Sequence, residues 1–371
     1  MIIKIKYPVM KQTILLYIFL SFSCTIFAQN KDTWISFWDN DTTHIGFKDK
    51  IGNIKIAPKF MGLTSANKFD DIIVVSEEVK GTWTSYYLTK SGKIVGRDSL
   101  YIYDNGPDCE NESFIRFKDS KTDKMGFFNG DGKIIIPAEY SDLTRARNGM
   151  IIALKDAVKE KDGEHFFWTG GKEFLIDINN KILIENFGYN DELNFYSLQK
   201  SKEKNPDPIR DNFLGVDGQY YSFINFDKEF KEWLKNILLT DLSKENLLKH
   251  SYDKITYWKK KDDDDGWITK PKGEFFKQNY NRIKEKLLEL KSTNCDYFIS
   301  SESLNKFIYE AEEYEQYFDN CRQAKDWINP LKNIVISPQN KKDFGQDHFE
   351  FLRTENGYKL ISVSSRKEKL K

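Results

Sequence analysis

Gly52, Gly92 and Gly132 stand forty residues apart, each in a turn signal between two short apolar, β-prone runs. The first and third units align without a gap at an offset of eighty. Gly46, Phe47, Gly52, Ile54, Ile56, Phe60, Leu63, Thr64 and Ala66 correspond to Gly126, Phe127, Gly132, Ile134, Ile136, Tyr140, Leu143, Thr144 and Ala146. A period of this length means stacked supersecondary units, each too small to bury its own apolar face, so neighbours must cover one another. The expectation is that hairpin modules hold the front half together by burying apolar strands, with Ile54, Ile94 and Ile134 paired and sheltered.

Each unit reads as strand, turn, strand and then an aromatic residue. Asn129-Gly130-Asp131-Gly132 has the residues that tolerate positive φ in a tight hairpin. Pro58 and Pro137 are expected just beyond the second strand of their units and, lacking an N–H, mark where pairing stops or an edge begins. Phe60 and Tyr140 then return to the core as anchors. The second unit is legible in Tyr86 to Gly96, around Gly92. A fourth is Glu173 to Glu185, where Asn180 takes the place of glycine because asparagine also enters the left-handed region. A fifth is Phe213 to Ser222, around Gly218. These five units make an all-β repeat domain over residues 33–224.

The units resemble the WG-repeat family: an aromatic-Gly pair, a turn ending in Gly-Lys, an Ile/Val strand with proline, then tyrosine. The resemblance is strongest at Ile45 to Phe60 and Met125 to Tyr140. The family's tryptophan is replaced by Ile45, Tyr86 or Met125, and the glycine after it remains as Gly46 and Gly126. The resemblance implies a β-rich scaffold of bacterial exported or surface-associated chains, and it brings no catalytic residues.

The chain opens with Lys4, Lys6 and Lys11, then runs apolar from Thr13 to Ala28 before turning polar at Gln29. That is the pattern of a secretory signal, 1–28, whose apolar run is short for a membrane span. Met10 could equally be the start, and Cys24 would be the lipid-bearing residue of an anchored alternative. The mature chain is expected in the periplasm or outside the cell, with no transmembrane segment. Formal net charge is +0, with both signs mixed throughout, so no basic stripe points to nucleic acid. Three cysteines remain, Cys109, Cys295 and Cys321. An oxidising compartment permits a disulfide; Cys295 and Cys321 share a region and are the candidate pair, with three unpaired thiols as the alternative.

At Phe226 the apolar period changes from two to nearly four, and residues 225–371 read as an α+β domain. Helices are expected from Phe226 to about Thr240, over Asp241 to His250, and over Phe275 to Leu290. Strands are expected at Lys254–Trp258, Trp267–Thr269, Asn333–Ser337, His348–Arg353 and Tyr358–Ser364, with a hairpin turn at Asn356-Gly357. The ending resembles the last hairpin of small exported domains with a cone-shaped sheet, of the nuclear-transport-factor-2-like kind.

Candidate chemistry is sparse. Asp262-Asp263-Asp264-Asp265-Gly266 would need ligands from Lys261 and Lys272 to form a calcium loop, and lysine cannot serve, so it reads as a solvated turn. His44, His165, His250 and His348 lie far apart, with no metal-ligand spacing. His348 reads as a surface residue at a strand start. Cys321 reads as structural rather than nucleophilic, and Gly170-Gly171-Lys172 as a turn rather than a phosphate loop. Trp168, Trp258 and Trp267 either staple strands or offer platforms for sugars or protein partners. No catalytic, cofactor or metal residues emerge. The chain reads as an exported, non-catalytic binding or scaffold protein for a protein or cell-envelope polymer. The alternative is an exported enzyme with its site in a C-terminal pocket.

Overall fold

Five hairpin turns carry one hydrogen-bond pattern. Asp49, Thr89, Asn129, Asp177 and Gly215 each donate their N–H to the carbonyl four residues on, and Gly52, Gly92, Gly132, Asn180 and Gly218 donate back to the first residue's carbonyl. The returning residue is in the left-handed region every time, from φ 63° at Asn180 to 95° at Gly52. At the first corner, the side chains of Asp49, Asn129 and Asp177 accept further N–H bonds from within the turn. In a computed structural model, residues 32–61, 66–103, 106–259, 266–337, 345–365 and 370 are described. The leader 1–28 with Met10 and Cys24, the acidic run Asp262–Asp265, and Leu63 and Thr64 lie outside the described residues.

Gly46 and Gly126 have a different task. The strand His44–Lys48 pairs with Ile54–Met61, but Ile45 faces Phe60 while Phe47 faces Ile56, so Ala57, Pro58 and Lys59 bulge over Gly46. The third unit repeats this: Met125 faces Tyr140 and Phe127 faces Ile136. A Cβ on Gly126 would sit 2.5 Å from the Ile136 carbonyl oxygen, which leaves room for glycine alone. Pro58 and Pro137 therefore do not end their strands. They sit inside them, at the bulge where a missing donor costs nothing.

Some strands have both faces buried and act as walls between successive cores. In Ile72–Val79, Ile73 and Val75 join a cluster with Phe47, Phe60 and Phe69, while Ile72 and Val74 face Tyr87, Phe117 and Phe128. In Met150–Lys155, Ile151 and Ala153 pack with Phe127, Ile136 and Tyr140, while Met150 and Ile152 pack with Phe187, Phe195 and Phe223. Both-face burial explains why these runs are continuously apolar instead of alternating. The described part of the repeat half holds a seven-stranded sheet, ordered Lys68–Phe69, Trp34–Trp38, His44–Lys48, Ile54–Met61, Ile72–Val79, Thr82–Thr89, Ile94–Val95, followed by smaller antiparallel sheets.

Ile54, Ile94 and Ile134 are in strands and paired, with Lys48, Leu88 and Phe128, but they are not sheltered. They are 62%, 41% and 59% exposed. Each is the first strand residue after its turn, and in the first and third units a register shift between it and the isoleucine two residues on, Ile56 or Ile136, takes it off the buried face. In the two aligned units burial falls instead on Phe47, Phe60, Phe127, Ile136 and Tyr140.

From Phe226 the chain forms α1 (Phe226–Trp233), continuing as a π-helical turn over Leu234–Leu238, then α2 (Lys244–Lys249) and α3 (Lys272–Glu289). Asn225 caps α1 through N–H bonds from Asp227 and Lys228, and Ser243 caps α2. A six-stranded sheet runs Gly266–Pro271, Ser251–Lys259, Gly357–Ser364, Asp347–Thr354, Leu331–Ile336, Tyr297–Glu302. Only Ser251–Lys259 and Gly357–Ser364 pair in parallel. Ile255, Tyr257, Ile334, Phe349, Phe351 and Val363 pack against Phe230, Phe275, Phe276, Ile283 and Leu287 of the helices. On the other face, residues 303–330 lay Tyr309, Tyr314, Tyr317 and Phe318 over Leu331, Leu352 and Ile361. Sequence periodicity missed the strand Tyr297–Glu302 and the hairpin Val158–Asp162 with His165–Thr169. No described helix is long and apolar enough to cross a membrane.

Gly126→Ala should lower unfolding free energy by about 1–3 kcal/mol through overpacking against the bulge. Ile134→Ala, at an exposed strand position, should cost less than about 0.5 kcal/mol. Urea denaturation of the two variants checks the ranking, and equal losses would contradict this account of the glycine.

Candidate functional site

Cys109, in the repeat half, is bonded to Cys321 in the 303–330 segment. The pairing departs from the expected Cys295–Cys321 bridge: Cys295 is free and packs beside the helical core of the C-terminal half. The reason is tertiary. Cys321 reaches the core of the first unit, where it lies against the cluster of Phe47, Phe60 and Phe69. Around it Asn67 and Lys68 both donate N–H bonds to the Asn320 carbonyl, the Asn320 amide donates to Asp70, and Lys68 pairs with Glu315 at 3.0 Å.

Charges line the seam between the two halves. Asp108, 4% exposed, accepts from Arg116 Nη2 at 2.6 Å and Arg145 Nε at 3.2 Å, and Arg145 also reaches Asp319 at 3.1 Å. Burial pushes the Asp108 carboxyl up, but the Arg116 guanidinium and then Arg145 outweigh it, holding the group below the usual carboxylate range. Asp319 goes the other way, because burial outweighs Arg145. Glu110 is buried; burial, helped by the nearby Asp70 and Asp71 carboxylates, raises it to about 7, against N–H bonds to one carboxylate oxygen from Ile72 at 2.6 Å and Asp71 at 3.0 Å. Asp326 is raised to about 6 by burial, with Ser303 donating to it. Arg147 stacks 5.2 Å from the Trp327 ring. Cys109, Cys321 and Asp319 cluster closely enough to suggest metal ligands, but both sulfurs are spent in the disulfide.

A groove of about 390 Å³ lies on the repeat half, lined by Leu154, Trp168, Gly170, Gly171, Lys172, Glu173, Asn186 and Gly188. Gly170 and Gly171, at φ 65° and 83°, make the expected turn. Trp168 lies in the strand His165–Thr169 rather than in a loop. Trp258 and Trp267 are cross-strand partners with ring centres 5.3 Å apart, so these two staple neighbouring strands.

A row of polar residues crosses all six C-terminal strands in register: Ser300, Asn333, Glu350, Ser362, Thr256 and Thr269. Asn333 lies 3.2 Å from His348 Nδ1, so His348 sits in a polar contact on the sheet and is half-buried. Burial lowers the His348 pKa and raises that of Glu350, where Ser362 opposes the rise. Tyr309, 3% exposed, has its hydroxyl beside Thr256 and Ser362 of the row. The remaining histidines do not converge: His44 bonds to Asp39, His165 sits on an exposed hairpin, and His250 packs on Trp233.

One bulge, one turn and one wall strand recur together from Met125 to Ala157. Residues 125–157 match the WG containing repeat. Met125, at the position of the motif's aromatic residue, is 2% exposed and Ile45 is 4% exposed, so in this chain that position is a core plug filled by a non-aromatic side chain. Comparison with curated proteins and with solved structures finds no match.

Replacing Cys109 with Ser should cost about 2–5 kcal/mol of unfolding free energy, given the long loop the bridge closes. Denaturation with and without reductant checks it: the wild type should fall to the variant's midpoint on reduction, and the variant should not respond. Glu110 gives a second expectation. A carboxyl raised in the folded state favours folding fully below its unfolded pKa, and that advantage disappears as pH rises through about 7. Glu110→Gln keeps an oxygen for the two N–H bonds and should flatten the decline in stability between about pH 4.5 and 7. An unchanged slope would refute the assignment.

Proposed function

We propose that the chain is an exported, non-catalytic binding or scaffold protein, with a WG-like repeat domain over 33–224 and an α+β domain over 225–371. The observation that carries this reading is the repeat stack: turn, proline bulge and shared wall strands give an extended structural surface, and residues 125–157 match the WG containing repeat. Such stacks serve recognition through their outer surface. The disulfide supports export, because oxidised pairs persist outside the reducing cytoplasm. The C-terminal sheet order, with one parallel pair and helices on one face, supports the nuclear-transport-factor-2-like reading. The space between that sheet and the helices is filled by Phe230, Tyr257, Phe275, Phe349 and Phe351, which favours a binding role over the enzymatic alternative. The partner is a protein or a cell-envelope polymer.

Expression with the native leader tests the export part. The soluble periplasmic fraction should contain a chain starting at Gln29 with Cys109 and Cys321 oxidised, as read by intact mass and peptide mapping. A lipid on Cys24 would select the anchored alternative, and an uncleaved, reduced cytoplasmic chain would sink the reading.

A further inference from the structure

We propose that the groove beside Trp168 binds one pyranose ring of a neutral polysaccharide. The inference rests on the binding-protein reading and names the ligand class of one site in it. The hairpin Val158–Asp162 with His165–Thr169 is an isolated two-stranded sheet, and Phe166 and Phe167 on it are 59% and 45% exposed. A lone hairpin in water is marginal, so aromatic residues displayed on it have a use other than core building. Trp168 is the residue of that hairpin that turns into the groove.

Its indole is held rather than free. Lys159, the cross-strand partner of Trp168, lies 5.8 Å from the Trp168 ring and 4.8 Å from the Phe166 ring, and its ammonium is fixed by Asp123 at 3.0 Å. Gly170, where a side chain would meet nothing within 4 Å, and Gly188 also line the groove and leave it open. Leu154 adds a second apolar surface. Lys172, Glu173 and Asn186 complete the lining, and their side chains are of three hydrogen-bonding kinds: an ammonium, a carboxylate and an amide. An indole face takes the C–H face of a sugar ring, and donors and acceptors around it take the equatorial hydroxyls. One positive and one negative side chain offset each other, which favours an uncharged ligand over an anion. The groove is open, as an extended polymer passing through it would require.

The test uses the full mature chain titrated with cellohexaose, maltohexaose and chitohexaose, read by calorimetry and tryptophan fluorescence. At least one should bind. Trp168→Ala should weaken it at least about tenfold, as for an aromatic anchor in a site of this kind, whereas Trp168→Phe should keep most of the affinity and Trp267→Ala all of it. Where Trp168→Ala fails to fold, Glu173→Gln replaces it and should weaken binding severalfold. Absence of binding to all three sugars overturns the inference, as does binding that survives Trp168→Ala or, in its place, Glu173→Gln. If the sugars fail while chemical cross-linking captures a defined partner of the exported chain, this inference falls and the binding-protein reading stands.

Discussion

Strands buried on both faces set the terms for the repeat half. Ile72–Val79 and Met150–Lys155 each serve two cores at once, so neither core is complete without the units on both sides of the wall. Stability of such a stack comes from interfaces between neighbours more than from any unit alone. The same demand explains the bulge. To turn from its hairpin toward the next unit, the strand folds over its partner at Pro58 or Pro137, and only glycine beneath leaves room. Proline and glycine are thus two parts of one device, separated by eleven or twelve residues in sequence and stacked in space.

The C-terminal half meets the repeat half at several points: Cys321 at the first unit's core, Asp319 and Trp327 at Arg145 and Arg147, and Lys332 at Glu192. The 303–330 segment has two duties: its tyrosines cover one face of the six-stranded sheet, and its Asp319-Asn320-Cys321 corner docks on the repeat half. The disulfide spans 212 residues of sequence and lies beside Asp319, the partner of Arg145. Arg116 and Arg145 share Asp108 in a buried, hydrogen-bonded cluster, a geometry in which removing one member leaves an uncompensated charge. The bridge and the cluster both fix the register of one half on the other.

Much of this architecture was legible in residues. The forty-residue interval marked the turns because positive φ favours glycine or asparagine, a local preference that Asn180 meets in place of glycine. The change of period at Phe226 located the helices, since an amphipathic face is written along the chain itself. The strand Tyr297–Glu302 escaped notice because it is a mostly exposed edge strand whose apolar residues, Tyr297, Phe298 and Ile299, stand together instead of alternating. The aromatic hairpin escaped because Val158 to Asp162 is wholly exposed and carries little alternation. The groove was half visible: Trp168 stood out as an aromatic platform, but Asn186 and Gly188 come from a separate strand end.

What the sequence by itself determined is everything governed by neighbours along the chain: the turn geometry, the helix caps and the strand-turn-strand rhythm. Tertiary structure alone decided which isoleucines stay dry, since the aligned Ile54 and Ile134 face water while Ile136 is sealed in a cluster with Phe127, Tyr140, Ile151 and Ile176. It also decided which cysteine meets Cys321. Proximity in sequence favoured Cys295, but a disulfide forms between sulfurs that folding brings within bonding distance, and packing of residues 303–330 on the first unit brings Cys109 there.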